Sequence, residues 1–249
     1  KSLGLIWISF DSTSGMTANY FYDYQGRRYQ KVVNGITNDF LYEGWSLVKE
    51  TSSDVTTNIY NCGLDLSGTL QGAGGIGGLV SVTRNGVTYY PMADGNGNIT
   101  DYVDANGTVV AHRECDAYGN TLVVSGTMVN DFHFWFSSKY LDQETGLYYY
   151  GLRYYQPETG RWMSRDPLEE RGGSHIYAFL YNEPIGAVDG YGLACCCLKA
   201  AIEQGDWQVQ VGPMLGFEDQ VPKGTKPNDI LHIYTPISYS FKLTDGSNP

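Results

Sequence analysis

The stretch that decides the interpretation of this chain is Tyr140-Leu-Asp-Gln-Glu-Thr-Gly-Leu-Tyr-Tyr-Tyr-Gly-Leu-Arg-Tyr-Tyr-Gln-Pro-Glu-Thr-Gly-Arg-Trp-Met-Ser-Arg-Asp-Pro167, with Val188-Asp-Gly-Tyr-Gly-Leu193 after it. It joins a run of tyrosines to two aspartates, Asp166 and Asp189, each followed by a turn-forming residue. Tyrosine suits a half-buried pleated surface, and Asp-Pro and Asp-Gly are common turn pairs. The residues alone therefore indicate short aromatic strands joined by tight turns.

A second pattern, Asp-x-x-Gly, recurs upstream at residues 23–26, 94–97, 104–107 and 116–119. Aspartate can accept hydrogen bonds from its own downstream backbone, and glycine tolerates positive φ, so each unit predicts a hairpin turn. The last three units begin 10 and 12 residues apart. Turns at this spacing predict an antiparallel meander or a repeat array.

Composition supports an all-β fold. Of the 249 residues, 31 are glycine, about 12% against a usual ~7%, and 21 are tyrosine. The formal net charge of −11 gives no electrostatic attraction to nucleic acid or to an anionic membrane. No apolar run is long enough for a transmembrane helix. The chain begins at Lys1 and is expected to be a fragment.

The 140–193 stretch resembles the RHS repeat-associated core domain at the C-terminal end of YD-repeat shells. Tyr22-Asp23-Tyr-Gln-Gly-Arg-Arg28 is similar to one of the family's repeats, and the resemblance covers about residues 20–193. It implies an all-β fold, an antiparallel YD-repeat array forming part of a spiral hollow shell, with a small α+β or irregular C-terminal tail. It divides the chain into a repeat region at 1–139, a core domain at 140–193 and a variable segment at 194–249. About four repeats form only an arc of wall, so closure needs further repeats.

The resemblance also implies that the chain cuts itself between Leu193 and Ala194. In this family the carboxylates that match Asp166 and Asp189 are similar to an aspartic-protease pair, with Arg165, Pro184 and Gly192 in supporting positions. Two close carboxyl groups share a proton, so one can act as base and the other as acid. The alternative is that both aspartates only form turns.

The chain departs from the family pattern beside the expected cut. Gly190 replaces a proline and Glu183 replaces an asparagine. Proline stiffens a turn and glycine loosens it, so slow or absent cleavage is expected. Gly190→Pro is expected to accelerate cleavage if the loosened turn limits presentation of the bond.

No metal site and no cofactor are predicted. Gly72-Ala-Gly-Gly-Ile-Gly77 matches the dinucleotide fingerprint in letters, but strand-forming residues follow it where a helix is needed, so it is predicted to be a flexible connection. The tyrosine cluster can in principle stack sugars or bases, although packed shell lining is the preferred interpretation. Neither the histidines (His112, His133, His175, His232) nor the five cysteines have the spacing of a metal site.

Two functions from different classes remain. The first is a shell-forming toxin or surface protein, secreted or on the cell surface, that encapsulates a C-terminal effector and releases it by self-cleavage. Its partners are then the remainder of the shell, the effector as cargo and an immunity protein. The second is a non-cleaving wall-associated adhesion protein that binds carbohydrate. A third reading, a glycosidase using Asp166 and Asp189, has no cleft signal in the sequence. In the tail, residues 194–204 predict a short helix, and 206–211 and 230–234 predict strands.

Overall fold

Eleven antiparallel strands, hydrogen-bonded in sequence order, form one open sheet. The computed structural model describes residues 6–11, 15–168, 175–193, 208–209, 230–233 and 239–244, with side chains for 15–168 and 175–193. The strands are β1 (Ile6–Asp11), β2 (Thr17–Tyr22), β3 (Arg28–Val33), β4 (Ile36–Glu43), β5 (Ser46–Ser52), β6 (Thr57–Cys62), β7 (Leu79–Arg84), β8 (Val87–Ala93), β9 (Ile99–Val103), β10 (Val109–Cys115) and β11 (Thr121–Ser125). The predicted antiparallel meander is confirmed.

The predicted Asp-x-x-Gly turns are present at all four positions. In the first, the Gly26 N–H donates to the Asp23 carbonyl at 3.0 Å, and Asp23 Oδ1 accepts the N–H groups of Gln25 and Arg27, each at 2.9 Å. Gly26 has φ of +82°, which glycine adopts without the penalty that a Cβ would cause. The same backbone bond recurs at residues 94–97, 104–107 and 116–119, and also at 65–68, a turn that was not predicted.

A second, four-stranded sheet packs against the inner face of the first. It consists of β12 (Tyr140–Asp142), β13 (Leu147–Tyr149), β14 (Tyr154–Gln156) and β15 (Arg161–Trp162). Short 3-10 turns lie at Val129–Asp131, Phe136–Ser138, Pro157–Thr159 and Leu180–Asn182. One continuous hydrophobic core joins inward residues of the large sheet, such as Tyr20 and Tyr102, to those of the small sheet, such as Tyr148 and Tyr155. The tyrosine cluster is therefore packed lining, as preferred from the sequence.

Buried charges fasten the two sheets together. Arg28 on β3 pairs with Asp142 on β12, and Lys31 reaches Asp142 at 3.2 Å and Glu144 at 3.1 Å. The Arg28 guanidinium also lies over four aromatic rings, with the nearest centroid, that of Tyr149, at 4.6 Å. We call Arg28, Lys31, Asp142 and Glu144 the sheet clamp. Charges this deeply buried need such partners, because desolvation of an unpaired ion is costly.

The Gly-rich segment 72–77 is not a dinucleotide site. It lies between β6 and β7 and is followed directly by strand β7, so it offers no helix N-terminus to a phosphate. Contrary to the expectation of a loose connection, Ala73 and Ile76 are 4% and 0% exposed. Asp65 Oδ2 accepts the N–H groups of Ala73 at 2.7 Å and Gly75 at 3.0 Å. The segment is a packed loop, called the glycine loop below.

Three strands are described in the tail: β16 (Gln208–Val209), β17 (Ile230–Ile233) and β18 (Tyr239–Thr244), with β18 central. The first two lie within segments predicted as strands, whereas β18 was not predicted. The predicted helix at 194–204 lies outside the described residues. In the part of the chain that is described, no helix has the length and apolar character needed to cross a membrane.

Candidate functional site at Asp166 and Asp189

Asp189 accepts backbone N–H groups of the residues that follow it, as the aspartates of the repeat turns do. Its Oδ1 accepts the N–H groups of Tyr191 at 3.1 Å, Gly192 at 2.7 Å and Leu193 at 2.9 Å. Its other oxygen, Oδ2, is buried and has no hydrogen-bond partner among the described residues. Asp189 is thus a turn residue, as expected if the aspartates only form turns. Its second carboxylate oxygen nevertheless takes no part in the hydrogen bonds of the turn.

The two carboxylate oxygens of Asp166 likewise have different roles. Its Oδ1 accepts the Leu168 N–H at 2.8 Å, and its own N–H donates to the Ile176 carbonyl at 3.0 Å. Its Oδ2 lies 3.0 Å from Nη2 of Arg153, the same nitrogen that lies 3.6 Å from Asp189 Oδ2. The two aspartates, 23 positions apart in sequence, therefore meet at one guanidinium, both less than 5% exposed.

Arg153 is the central residue that sequence reasoning missed. Its guanidinium lies 4.2 Å from the Trp162 ring centroid, and its Nε donates to the Gly192 carbonyl. It is 2% exposed. A signal was present, because an arginine between Tyr150 and Tyr154 in a run of core aromatics must be buried and must find an acidic partner.

Burial raises the pKa of the Asp189 carboxyl above its ordinary value, while Arg153 and the N–H groups of Leu193, Tyr191 and Gly192 act in the opposite direction. Burial also lowers the pKa of Arg153, although both aspartates oppose that shift. Among the described residues no hydrogen bond joins the two carboxyl groups directly. They are linked through the Arg153 guanidinium, and burial makes protonation of the Asp189 carboxyl more favourable than it is in water.

The other predicted site residues differ in their exposure and in whether they contact the two aspartates. Arg165 is exposed, and the cation between the aspartates is Arg153 instead. Pro184 is buried, with its carbonyl accepting from Asn96 Nδ2 at 3.2 Å. Gly192 has φ of +76° and contacts both Asp189 and Arg153. Leu193 is half-buried at the end of the turn, and Ala194 lies outside the described residues.

The three histidines whose side chains are described do not contribute to this site. His112 lies between Asp101, at 2.7 Å, and Glu114, at 3.2 Å, on the large sheet. His133 stacks on Tyr140 at 4.6 Å, and His175 is exposed. The side chain of His232 lies outside the described part. In the ranges that carry side chains, no group of His, Cys, Asp and Glu is arranged to hold a metal ion.

Gly190 lies against the glycine loop. A Cβ at Gly190 would lie 2.9 Å from the Gly74 nitrogen and 3.0 Å from the Ala73 carbonyl carbon. A Cβ at Gly74, where φ is +63°, would overlap the Gly190 carbonyl oxygen. The two glycines allow two backbones to touch, so Gly190 is explained by packing.

This contact changes the expected effect of the Gly190→Pro substitution from stiffening the turn to disturbing its packing. We expect Gly190→Pro to lower the melting temperature of the protein and to misplace Asp189, because its side chain would push the glycine loop away. Gly190→Ala, which adds the same Cβ without the ring, should produce part of the loss. Thermal unfolding of the two variants and wild type checks this. A melting temperature that rises in Gly190→Pro would restore the interpretation in which turn stiffness is limiting.

The chain is similar to several known proteins. A family model described as Teneurin YD-shell matches residues 1–184. The tRNA3(Ser)-specific nuclease WapA of Bacillus spizizenii is 34% identical over 199 residues, which are 74% of this chain and 8% of that protein. Toxin subunit YenC1 of Yersinia entomophaga is 41% identical over 95 residues, 37% of this chain and 10% of that protein.

The fold has a solved counterpart. The structure described as "Crystal Structure of TcdB2-TccC3 without hypervariable C-terminal region" gives a TM-score of 0.57 at 24% identity, covering 75% of this chain and 10% of that one. The chain spans a tenth or less of the length of each of these relatives. The family match covers most of the sequence, and the resemblance to RHS/YD-repeat proteins is confirmed. This chain therefore belongs to the Teneurin YD-shell family.

Proposed function

We propose that this chain is the closing segment of a toxin-type protein shell and that it cuts its own backbone after Leu193. Its relatives include a toxin subunit and a tRNA nuclease, and the description of one solved relative names a hypervariable C-terminal region. On this proposal residues 1–139 are wall, 140–193 are the self-cleaving core, and 194–249 are the released effector segment. The remaining shell repeats and an immunity protein are its partners, and the protein is secreted.

The observation that supports self-cleavage best is the convergence of two buried carboxylates on Arg153. Each commits Oδ1 to a local turn and directs Oδ2 at Nη2 of the same guanidinium. Asp189 Oδ1 also accepts the N–H of Leu193, which ties the carboxylate to the residue before the proposed cut. A stabilising ion pair alone would not require two carboxylates on one arginine, or an Oδ2 without a hydrogen bond.

The chemistry follows from the different environments of the two acids. Asp189, whose pKa is raised by burial, is assigned as the proton donor, and Asp166 is assigned as the proton acceptor. Asp166 takes a proton from a water molecule while the water oxygen attacks the Leu193 carbonyl carbon. Asp189 then donates its proton to the Ala194 nitrogen as the C–N bond breaks. The products are a carboxyl group on Leu193 and an amine on Ala194, and the pair again holds one proton.

Intact-mass spectrometry of the full-length protein tests the proposal. Wild type should yield two pieces, the smaller beginning Ala-Cys-Cys-Cys, and the double variant Asp166→Asn, Asp189→Asn should stay whole. For the present 249 residues, with a mass of 27.6 kDa, the pieces prorated by length are roughly 21 and 6 kDa. A wild-type chain that stays whole in its complete shell would instead favour the non-cleaving, carbohydrate-binding adhesion protein. A double variant that is still cut would leave both aspartates as turn residues.

A further inference from the structure

Ser137 and Ser138 adopt an unusual backbone beside the site. Ser137 and Ser138 both have left-handed φ, 51° and 48°, although neither is glycine. Such strained residues persist only when their surroundings hold them. Ser138 Oγ donates to the Gly97 carbonyl at 2.7 Å and accepts the Gly77 N–H at 2.9 Å, and the Ser137 N–H donates to Asn98 Oδ1 at 2.8 Å. The segment is thus held between a repeat turn and the glycine loop.

This backbone delivers Lys139 into the interior. The side chain is 6% exposed, and Nζ donates to the carbonyls of Gly74 and Gly190, each at 2.6 Å. Nζ also lies 5.3 Å from the Tyr150 ring centroid. Neither bond partner is a carboxylate, so the buried ammonium is held by two backbone oxygens from different loops. Burial lowers the pKa of Lys139 to about 8, while the charges of Asp189 and Asp65 act in the opposite direction.

A continuous set of contacts runs through this ammonium to Asp189. Asp65 holds the glycine loop from one side through the Ala73 and Gly75 N–H groups. Lys139 then joins the loop to Gly190, the residue directly after Asp189. Gly190 has room for this only because neither it nor Gly74 carries a Cβ.

We propose that Lys139 is a positioning residue for self-cleavage. By fastening the Gly190 carbonyl to the Gly74 carbonyl, its ammonium fixes the 189–193 turn and thereby the place of Asp189 Oδ2 relative to the Leu193 carbonyl. This inference rests on the proposed function. The hydrogen bonds described for Lys139 Nζ go to Gly74 and Gly190, so its effect on cleavage is exerted through the turn.

Cleavage of the full-length protein gives the first test, measured as the rate at which the two pieces form after synthesis. Lys139→Met has similar length but no donor, and should slow the cut by tenfold or more, as expected for losing two hydrogen bonds to a charged group. Lys139→Arg should retain most of the rate, because it keeps a cation and a cavity of about 80 Å³ borders the site. Lys31→Met is the matched control, a second buried lysine that belongs to the sheet clamp.

Each result bears on the inference. Equal rates for Lys139→Met and wild type would overturn it, as would a Lys139→Met rate reduced no more than that of Lys31→Met. Slow cleavage in Lys139→Met with recovery in Lys139→Arg would support it, since a role in packing alone would be served as well by methionine. A wild type that never cleaves would refute the proposed function instead.

Hydrogen exchange in an uncut chain gives a test that does not need cleavage. In the full-length Asp166→Asn background, or in wild type if it stays whole, Lys139→Met should speed exchange of the Tyr191, Gly192 and Leu193 amides by roughly tenfold or more. Lys31→Met should leave them unchanged, and the repeat turn at 116–120 should be unaffected in both. Unchanged exchange at 191–193 in Lys139→Met would overturn the positioning role whatever the cleavage result.

Discussion

Asp189→Asn is expected to slow cleavage after Leu193 by about two to four orders of magnitude while the turn stays folded. Asparagine retains an Oδ1 that can accept the N–H groups of Tyr191, Gly192 and Leu193, so the local backbone bonds survive. The amide that replaces Oδ2 cannot carry the proton that the leaving Ala194 nitrogen needs. Asp189→Asn therefore removes proton donation by the carboxyl group while keeping its hydrogen bonds to the turn.

Asp104→Asn is the control for this variant. Asp104 also accepts backbone N–H groups in a local turn, those of Asn106 and Thr108, each at 2.9 Å, and it does not belong to the turn that holds residues 137–139. Time courses of intact mass should show wild-type rates for Asp104→Asn. A cut that proceeds at the wild-type rate in Asp189→Asn would contradict the assignment, and comparable slowing in Asp104→Asn would attribute the effect to turn formation.

The pH dependence of the same reaction follows from the raised pKa of Asp189. If Asp189 supplies the proton, the active form has Asp189 protonated, and this form is lost as pH rises through the folded-state pKa. The cleavage rate should therefore fall with rising pH, with a midpoint above the ordinary aspartate value of about 3.9. For stability the sign is the same: a raised folded-state pKa stabilises the fold below the unfolded-state pKa, and this contribution disappears as pH increases. Rates measured after a pH jump check the first statement.

The sequence was sufficient for the turns because their chemistry is local. Aspartate Oδ1 reaches amides two and four residues later, and a glycine of positive φ follows, so each turn is specified within five residues. The sheet order followed from the regular spacing of such turns. The resemblance supplied Asp166 and Asp189, and their meeting is a property of the folded chain.

Long-range packing was beyond the sequence patterns. Arg153 and Lys139 act through contacts with residues 39 and 51 positions away, for which no local motif exists. Gly190 was interpreted as a loosened turn because no local pattern indicates that Gly74 packs against it. On β3, strict alternation would place Arg28 and Lys31 on opposite faces because they lie three positions apart, yet both are buried and pair with acidic residues of the second sheet and its first turn.

Loss of the Arg28 charge should produce the largest loss of stability in the described part of the chain. Arg28→Met leaves Asp142, which is 0% exposed, with Lys31 as its remaining ion-pair partner, at 3.2 Å. Breaking a buried pair from one side typically costs about 3–5 kcal/mol, because the remaining charge is neither solvated nor fully compensated. The four aromatic rings around the guanidinium also lose their cation. The free energy of unfolding, measured in urea, should fall by this amount.

Arg84→Met is the matched comparison, since the Arg84–Asp131 pair is as close, at 2.6 Å, but is 20% and 35% exposed. Its loss should cost below about 1 kcal/mol. The double variant Arg28→Met, Asp142→Leu should recover part of the Arg28→Met loss, because it removes the stranded charge as well. Equal losses in Arg28→Met and Arg84→Met would mean that the sheet clamp is already well solvated. A double variant less stable than Arg28→Met alone would mean that Asp142 stabilises the interface mainly through its ion pair with Lys31. Lys31 would then be the residue that joins the small sheet to the large sheet.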